Sequence, residues 1–200
     1  GIIQAVGVIS HLEGEDIDIT TDSALFYGHD LGTSISVDGV CLTLREYKDN
    51  KLRFQVSQET INRSIIVNYT PGSYVNLELP LTMEKFLSGH LVQGHVDTTT
   101  SVLNIHQVSD DLWNFEFTNN NFKYLVDKGS VTINGVSLTV VNPINENFKC
   151  LIELYAPAAI HGGREVVKIN PEEKLLMKST ISLLPVMYPP ITPNALASVP

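Results

Sequence analysis

Ser34-Ile-Ser-Val-Asp-Gly-Val-Cys-Leu-Thr-Leu44 is a run of alternating polar and apolar residues broken by Asp38-Gly39. Alternation of period two marks a half-buried strand, and an Asp-Gly pair supplies the positive φ angles of a two-residue hairpin turn. The stretch therefore predicts a β-hairpin that pairs 34–37 with 41–44. It also occurs twice. Ser130-Val-Thr-Ile-Asn-Gly-Val-Ser-Leu-Thr-Val140 aligns on it without a gap at an offset of 96 residues, placing Asn134-Gly135 on Asp38-Gly39 and Ser137 on Cys41. Gly1-Ile-Ile-Gln4 falls in the same way on Gly94-His-Val-Asp97, at an offset of 93. Such a period is too long for a solenoid and suits two tandem domains.

Outward from the hairpins, 51–57, 73–79 and 112–118 read as further strands, the second introduced by Pro71-Gly72. Many short strands at close spacing predict an all-β fold built of small barrels or sandwiches. Helices are few. Segments 24–29 and 121–127 are candidates. The last stretch differs, because Asn170-Pro171-Glu172-Glu173 is a strong helix start, with an Asn cap, Pro in the first turn and Glu at the third position. Leu175, Leu176, Ile181, Leu183 and Leu184 give the apolar stripe and Pro185 ends it. This predicts a C-terminal helix lying outside the two barrels, either packed back on its own barrel or covered by another copy.

The 200 residues are 43% hydrophobic, enough for a packed core. A net charge of −9 argues against a nucleic-acid partner and against anionic membranes, since both need clustered Lys and Arg. Two cysteines make neither a disulfide framework nor a four-sulfur zinc site. No apolar run reaches the roughly 20 residues of a membrane span, and no signal peptide is legible, so the expected location is the cytoplasm.

Cys41 stands just after a turn. A lone Cys there reads as a small buried hydrophobe or as a reactive group at a barrel mouth. Its repeat partner, Ser137, favours the second reading: both carry a small protonated heteroatom at one geometric point. Gly89-His90-Leu-Val-Gln-Gly94-His95-Val-Asp97 is the other cluster. His95 and Asp97 share a face if the segment is extended. A zinc site would want further ligands that are not nearby, so no metal is expected. A neutral imidazole could act as a base or orient a ligand, or simply sit at the surface. Gln58-Glu59-Thr60 ends a strand in polar side chains, which suits either the imide edge of a ring ligand or ordinary turn chemistry. No phosphate loop, dinucleotide fingerprint or nucleophile elbow is present.

In this order and duplicated, these motifs resemble riboflavin synthase and its non-catalytic relatives, the lumazine proteins. The resemblance rests on G-I-I-Q at Gly1, S-V-D-G-V-C-L-T at Ser36, Q-E-T at Gln58, G-H-L-V-Q-G-H-V-D-T at Gly89, K-Y-L-V-D-K-G at Lys123 and I-N-G-V-S-L-T-V at Ile133. It covers residues 1–155 strongly. It implies two tandem six-stranded Greek-key barrels at 1–86 and 87–170, and a C-terminal helix and irregular tail at 171–200. It also implies a homotrimer, with active sites between the first barrel of one subunit and the second of another.

The implied reaction is a dismutation of two 6,7-dimethyl-8-ribityllumazine molecules that needs no cofactor. One donates a four-carbon unit to the other, giving riboflavin and a pyrimidinedione. The implied catalytic residues are Cys41, His95, Ser34 and Thr60. In the first barrel the resemblance places ring and ribityl contacts on Gly1, Ile2, Ile3, Cys41, Leu42, Thr43, Gln55, Val56, Ser57, Gln58, Glu59, Thr60, Gly94, His95 and Val96. In the second barrel it places them on Lys128, Ser137, Leu138, Thr139, Leu151, Ile152, Glu153, Leu154, Tyr155 and Ala156. Two departures fall in the second barrel, where the family's Thr is Ala156 and a later acidic position is Asn170. The alternative function is a non-catalytic, antenna-type protein that binds lumazine or flavin.

Overall fold

The structure is a computed structural model describing residues 1–84, 90–110, 112–119, 123–144, 146–153 and 176–180, with Glu153 and 176–180 as backbone. Six strands form the first unit: β1 (Ala5–Glu13), β2 (Asp16–Thr20), β3 (Ser34–Val37), β4 (Val40–Lys48), β5 (Lys51–Gln55) and β6 (Tyr74–Glu78). They close into a barrel in the order β1-β2-β5-β4-β3-β6. Consecutive β3, β4 and β5 with β2 returning beside β5 make a Greek key.

The second unit has β7 (Thr98–Ser109), β8 (Leu112–Thr118), β9 (Ser130–Ile133), β10 (Val136–Thr139), β11 (Asn147–Glu153) and β12 (Leu176–Thr180). Their order is β10-β9-β12-β7-β8-β11. Read from β7 as a ring, this is the order of the first unit. Among the described residues the ring is open between β10 and β11, whose ends meet at the bridge of Val141 to Lys149.

Both signature hairpins form as the turn chemistry requires. Asp38 and Gly39 have φ of 47° and 84°, and Asn134 and Gly135 have 47° and 79°. Two successive positive φ values make a type I′ turn, whose twist matches that of the flanking strands. The register follows: Val37 faces Val40, and Ile133 faces Val136. Period two then sends Ile35, Val37, Leu42 and Leu44 inward to join Ile9, Ile19, Phe54 and Leu77 in the first core. Each such buried side chain contributes about 1.5–3 kcal/mol. The second core is smaller, centred on Phe115, Phe117 and Phe148, with the Phe117 and Phe148 rings 5.2 Å apart.

Asp38 does structural work in its turn. Its buried carboxylate accepts a hydrogen bond from the Tyr69 hydroxyl at 2.6 Å and from the Asn76 backbone N–H at 2.8 Å. Burial and the neighbouring carboxylate push the Tyr69 hydroxyl well above the ordinary tyrosine range. Asn134 holds the same place in the second unit without the charge.

Asp18 on β2 is a second buried carboxylate, gripped by Arg53 from β5 through Nε at 2.7 Å and Nη2 at 2.9 Å. The hydrogen bonds from Arg53 hold its carboxyl below the usual carboxylate range, against the opposing effect of burial. A depressed folded-state pKa contributes stability above the unfolded value of about 3.9, and that contribution is lost as the pH falls through the folded value. Melting temperature should therefore drop more steeply below about pH 4 in the wild type than in Asp18→Asn. Parallel curves would remove this ion pair from the acid response.

Three expectations need correction. Residues 123–127 are turn and irregular backbone rather than helix. Of 24–29 only Ala24–Phe26 is helical, a single 3-10 turn that drives Phe26 into the core. The third is the C-terminal helix: within the span predicted for it, Leu176–Thr180 is the strand β12, paired with β7 and β9. Without it those two strands would face each other as open edges. β12 fills the place that β6 takes between β1 and β3, so long-range pairing overrides the local helical pattern. The other residues of the C-terminal stretch lie outside the described part.

Candidate functional site

On the outer face of the first hairpin, Ser36 stands opposite Cys41 and Ser34 opposite Thr43. Ser34, Cys41 and Thr43 are exposed, because their neighbours in sequence occupy the core. The second hairpin repeats the arrangement, with Thr132 opposite Ser137 and Ser130 opposite Thr139. Each hairpin therefore carries a short row of small hydroxyl or thiol side chains, of which Thr132 is buried.

Over each row lies the lead segment of the other unit. The Cys41 N–H donates to the Gly94 carbonyl at 2.9 Å, and the Ser137 N–H donates to the Gly1 carbonyl at 2.9 Å. The approach is so close that only glycine fits. A Cβ on Gly94 would stand 2.3 Å from the Cys41 Cβ and 2.6 Å from its backbone nitrogen, and one on Gly1 would stand 2.6 Å from the Ser137 Cβ. The two I′ turns also meet, since a Cβ on Gly135 would stand 3.0 Å from the Gly39 nitrogen. Asn76 Nδ2 crosses the boundary to donate to the Asn134 carbonyl at 2.9 Å. Two equivalent leads on two equivalent hairpins form a reciprocal exchange about a local two-fold relation.

This exchange regroups the expected residues. Of Gly1, Ile2 and Ile3, which the sequence reading places with the first barrel, Gly1 lies against Ser137 and Ile3 reaches Gly135 of the second, while the Ile2 N–H bonds Glu78 of the first. Gly94 lies on Cys41, and Val96 packs against the first core. His95 between them is exposed. His90, to which the sequence reading assigned no role, meets Ser137: its Nδ1 and the Ser137 Oγ share a hydrogen bond. The segment from 90 to 96 therefore touches Ser137 at one end and Cys41 near the other.

Other expected contacts divide by environment. Leu42, Val56 and Leu138 are buried in the cores, so only their backbone is available to a ligand. Gln55 ends β5 with its side chain exposed. Ser57 caps α1 (Gln58–Arg63), accepting from the Thr60 N–H at 3.2 Å and sharing a hydrogen bond with the Thr60 hydroxyl at 3.0 Å. Gln58 bonds Asn62, and Glu59 pairs with Arg63, so these two side chains are engaged within the helix.

Lys128 has a φ of 64° where the repeat has Gly32, and both backbone N–H groups bond the equivalent strand, to Val140 and Leu44 respectively. A left-handed lysine costs about 1–2 kcal/mol relative to glycine, and such strain clusters at functional sites. Leu151 is exposed and Ile152 packs on the second core. Glu153 ends β11, while Leu154, Tyr155 and Ala156 lie outside the described residues.

The two thiols differ sharply. Burial pushes the Cys150 thiol up to about 12, which leaves it unreactive, whereas Cys41 is exposed beside the Gly94 segment. Among the described residues no cluster of three His, Cys, Asp or Glu side chains could hold a metal ion. A surface depression lined by Glu46, Lys48, Asp49, Lys51 and Arg53 lies at the far end of β4, roughly 20 Å along the strand from Cys41. Its Arg53 is already committed to Asp18 and Glu46.

The lumazine binding domain family matches residues 1–80 and 93–156, one segment for each unit. Riboflavin synthase of Actinobacillus pleuropneumoniae is 34% identical over 156 residues, covering 76% of this chain and 73% of the relative. The Saccharomyces cerevisiae enzyme is 32% identical over 160 residues, covering 73% and 67%. The chain belongs to the riboflavin synthase family of lumazine-binding proteins. The fold agrees: the crystal structure of LumP complexed with riboflavin superposes with a TM-score of 0.73 at 17% identity, covering 90% of this chain and 98% of that one. Within the family's fold, the reciprocal glycine contacts at Cys41 and Ser137 mark the two places where the units complete each other. Among the described residues no helix is long and apolar enough to cross a membrane.

Proposed function

We propose that the chain is a riboflavin synthase, converting two molecules of 6,7-dimethyl-8-ribityllumazine to riboflavin and a pyrimidinedione by transfer of a four-carbon unit. The observation that carries this is the reciprocal exchange: two matched cradles, Cys41 under Gly94 and Ser137 under Gly1, suit a reaction whose two substrates are identical. Holding two reactants in register is the largest contribution a protein can make to a coupling of this kind.

In the first cradle the Cys41 thiol contacts or adds to an electrophilic ring carbon. His95 takes or returns the proton of the ring methyl that becomes the carbanion, and Ser34 and Thr60 hold the substrate. In the second, Ser137 and Thr139 with Lys128 hold the partner molecule. Lumazine and riboflavin are the ligands, and the reaction needs no added cofactor. The proposal includes a homotrimer acting in the cytoplasm. Its support is the family resemblance and, for assembly, exposed apolar side chains such as Val67, Leu31 and Tyr74.

Cys41→Ser and His95→Ala test the roles. Each is expected to slow riboflavin formation, followed by absorbance, by about 10²-fold or more, while ligand affinity by fluorescence titration moves less than about threefold. Unchanged rates in both variants would take these side chains out of the mechanism. Tight binding with no riboflavin formed by the wild type would favour an antenna-type protein instead.

A further inference from the structure

We infer that Glu78, on the first unit, is a positioning residue for the second cradle, acting by holding Gly1 and Ile2 above Ser137. The inference rests on the functional reading above and adds to it a residue outside the cradles. Glu78 ends β6, opposite Ser36. Its Oε1 accepts two hydrogen bonds from the first lead, from the Gly1 nitrogen at 2.8 Å and from the Ile2 N–H at 3.0 Å. One carboxylate oxygen thus fixes two consecutive residues of the segment whose carbonyl receives the Ser137 N–H. The bonds need only N–H donors, which a peptide and a terminal amine both supply.

Side chains add little at the first two residues of this lead. Gly1 has no side chain to bury and Ile2 is 37% exposed. The next anchors lie downstream, where the Gln4 N–H donates to the Leu77 carbonyl at 2.9 Å and Gln4 Oε1 accepts from the Leu79 N–H at 2.6 Å. Among the described residues, hydrogen bonds to the backbone before Gln4 come from Glu78 and Ser137. Hydrogen bonds to an ionised acceptor are about twice as strong as neutral ones, so one carboxylate oxygen bonded to two consecutive N–H groups fixes this part of the lead.

The repeat shows that this clamp belongs to one cradle. Ser36 faces Glu78 as Thr132 faces Thr180, so the position equivalent to the carboxylate is a threonine. The second lead is secured differently: Val96 is packed against the first core, and His90 bonds Ser137. The near symmetry of the two cradles is therefore broken at Glu78, and its loss should register at Ser137 and not at Cys41.

Equilibrium titration with riboflavin as the probe, read by flavin fluorescence, tests this on the full chain. The wild type is expected to bind two equivalents. Glu78→Ala should weaken one equivalent at least about tenfold and leave the other within about twofold. Glu78→Gln keeps an oxygen acceptor without the charge and should fall between them, and it carries the test if the alanine variant does not fold. In both variants kcat should fall more than the tighter site's affinity does, a split that a general loss of stability does not produce. Two sites that weaken together, or neither weakening, would overturn the inference alone. A wild type that binds no riboflavin would overturn the functional reading, and the inference with it.

Discussion

Gly94→Ala is expected to cut turnover by about 100-fold or more, the cost of a displacement of about 1 Å at a reacting centre. The added methyl would stand 2.3 Å from the Cys41 Cβ, 2.6 Å from its nitrogen and 2.8 Å from its Cα. Two of these are backbone atoms of β4, which β3 holds in register at this point within a closed barrel, so they yield less readily than the lead. The lead must lift instead. That breaks the Cys41 to Gly94 hydrogen bond and shifts His95 from the position in which it is proposed to handle the ring-methyl proton. Steady-state kinetics with a melting curve would check it. A loss of kcat/KM without loss of the folded state is the expected pattern. Activity within about threefold of wild type would mean that the lead is not part of the first cradle.

Asp38→Ala should have its large effect on stability. It removes the acceptor of the buried Tyr69 hydroxyl and of the Asn76 N–H, and it places alanine at a φ of 47°. Leaving two buried donors without a partner costs about 1–3 kcal/mol each, so a fall in melting temperature on the order of 10 °C is expected. Asp38→Asn should cost less, because it retains an oxygen and tolerates the left-handed turn, as Asn134 does in the second unit. Below its transition the alanine variant should turn over at close to the wild-type rate. A variant that melts normally but has lost activity would instead make Asp38 a ligand contact.

These two predictions mark what was legible in the sequence. Asp38-Gly39 and Asn134-Gly135 specified both hairpins, and a two-residue turn fixes the register by counting, so Ser36 could have been placed opposite Cys41 without coordinates. The gapless alignment of Cys41 on Ser137 located both cradles. The exchange of leads was not legible. Gly1 meets Ser137, and Gly94 meets Cys41, over sequence separations that leave no local pattern, and nothing in G-I-I-Q says which barrel it covers. The same holds for Leu176–Thr180: its partners in β7 and β9 are far away in the chain, while its Leu and Met residues fit a helical stripe equally well. Nothing in the sequence singles out Glu78, and His90 carries no assigned role there. Both are identified by what they touch.

The most direct measurement is a time course of purified protein with 6,7-dimethyl-8-ribityllumazine alone, counting substrate consumed against riboflavin formed. Two matched cradles acting on two identical molecules require two lumazines lost for each riboflavin gained, with the pyrimidinedione as the second product and nothing else added. Substrate held without riboflavin appearing, or a reaction that starts only when another reagent is supplied, would contradict that reading.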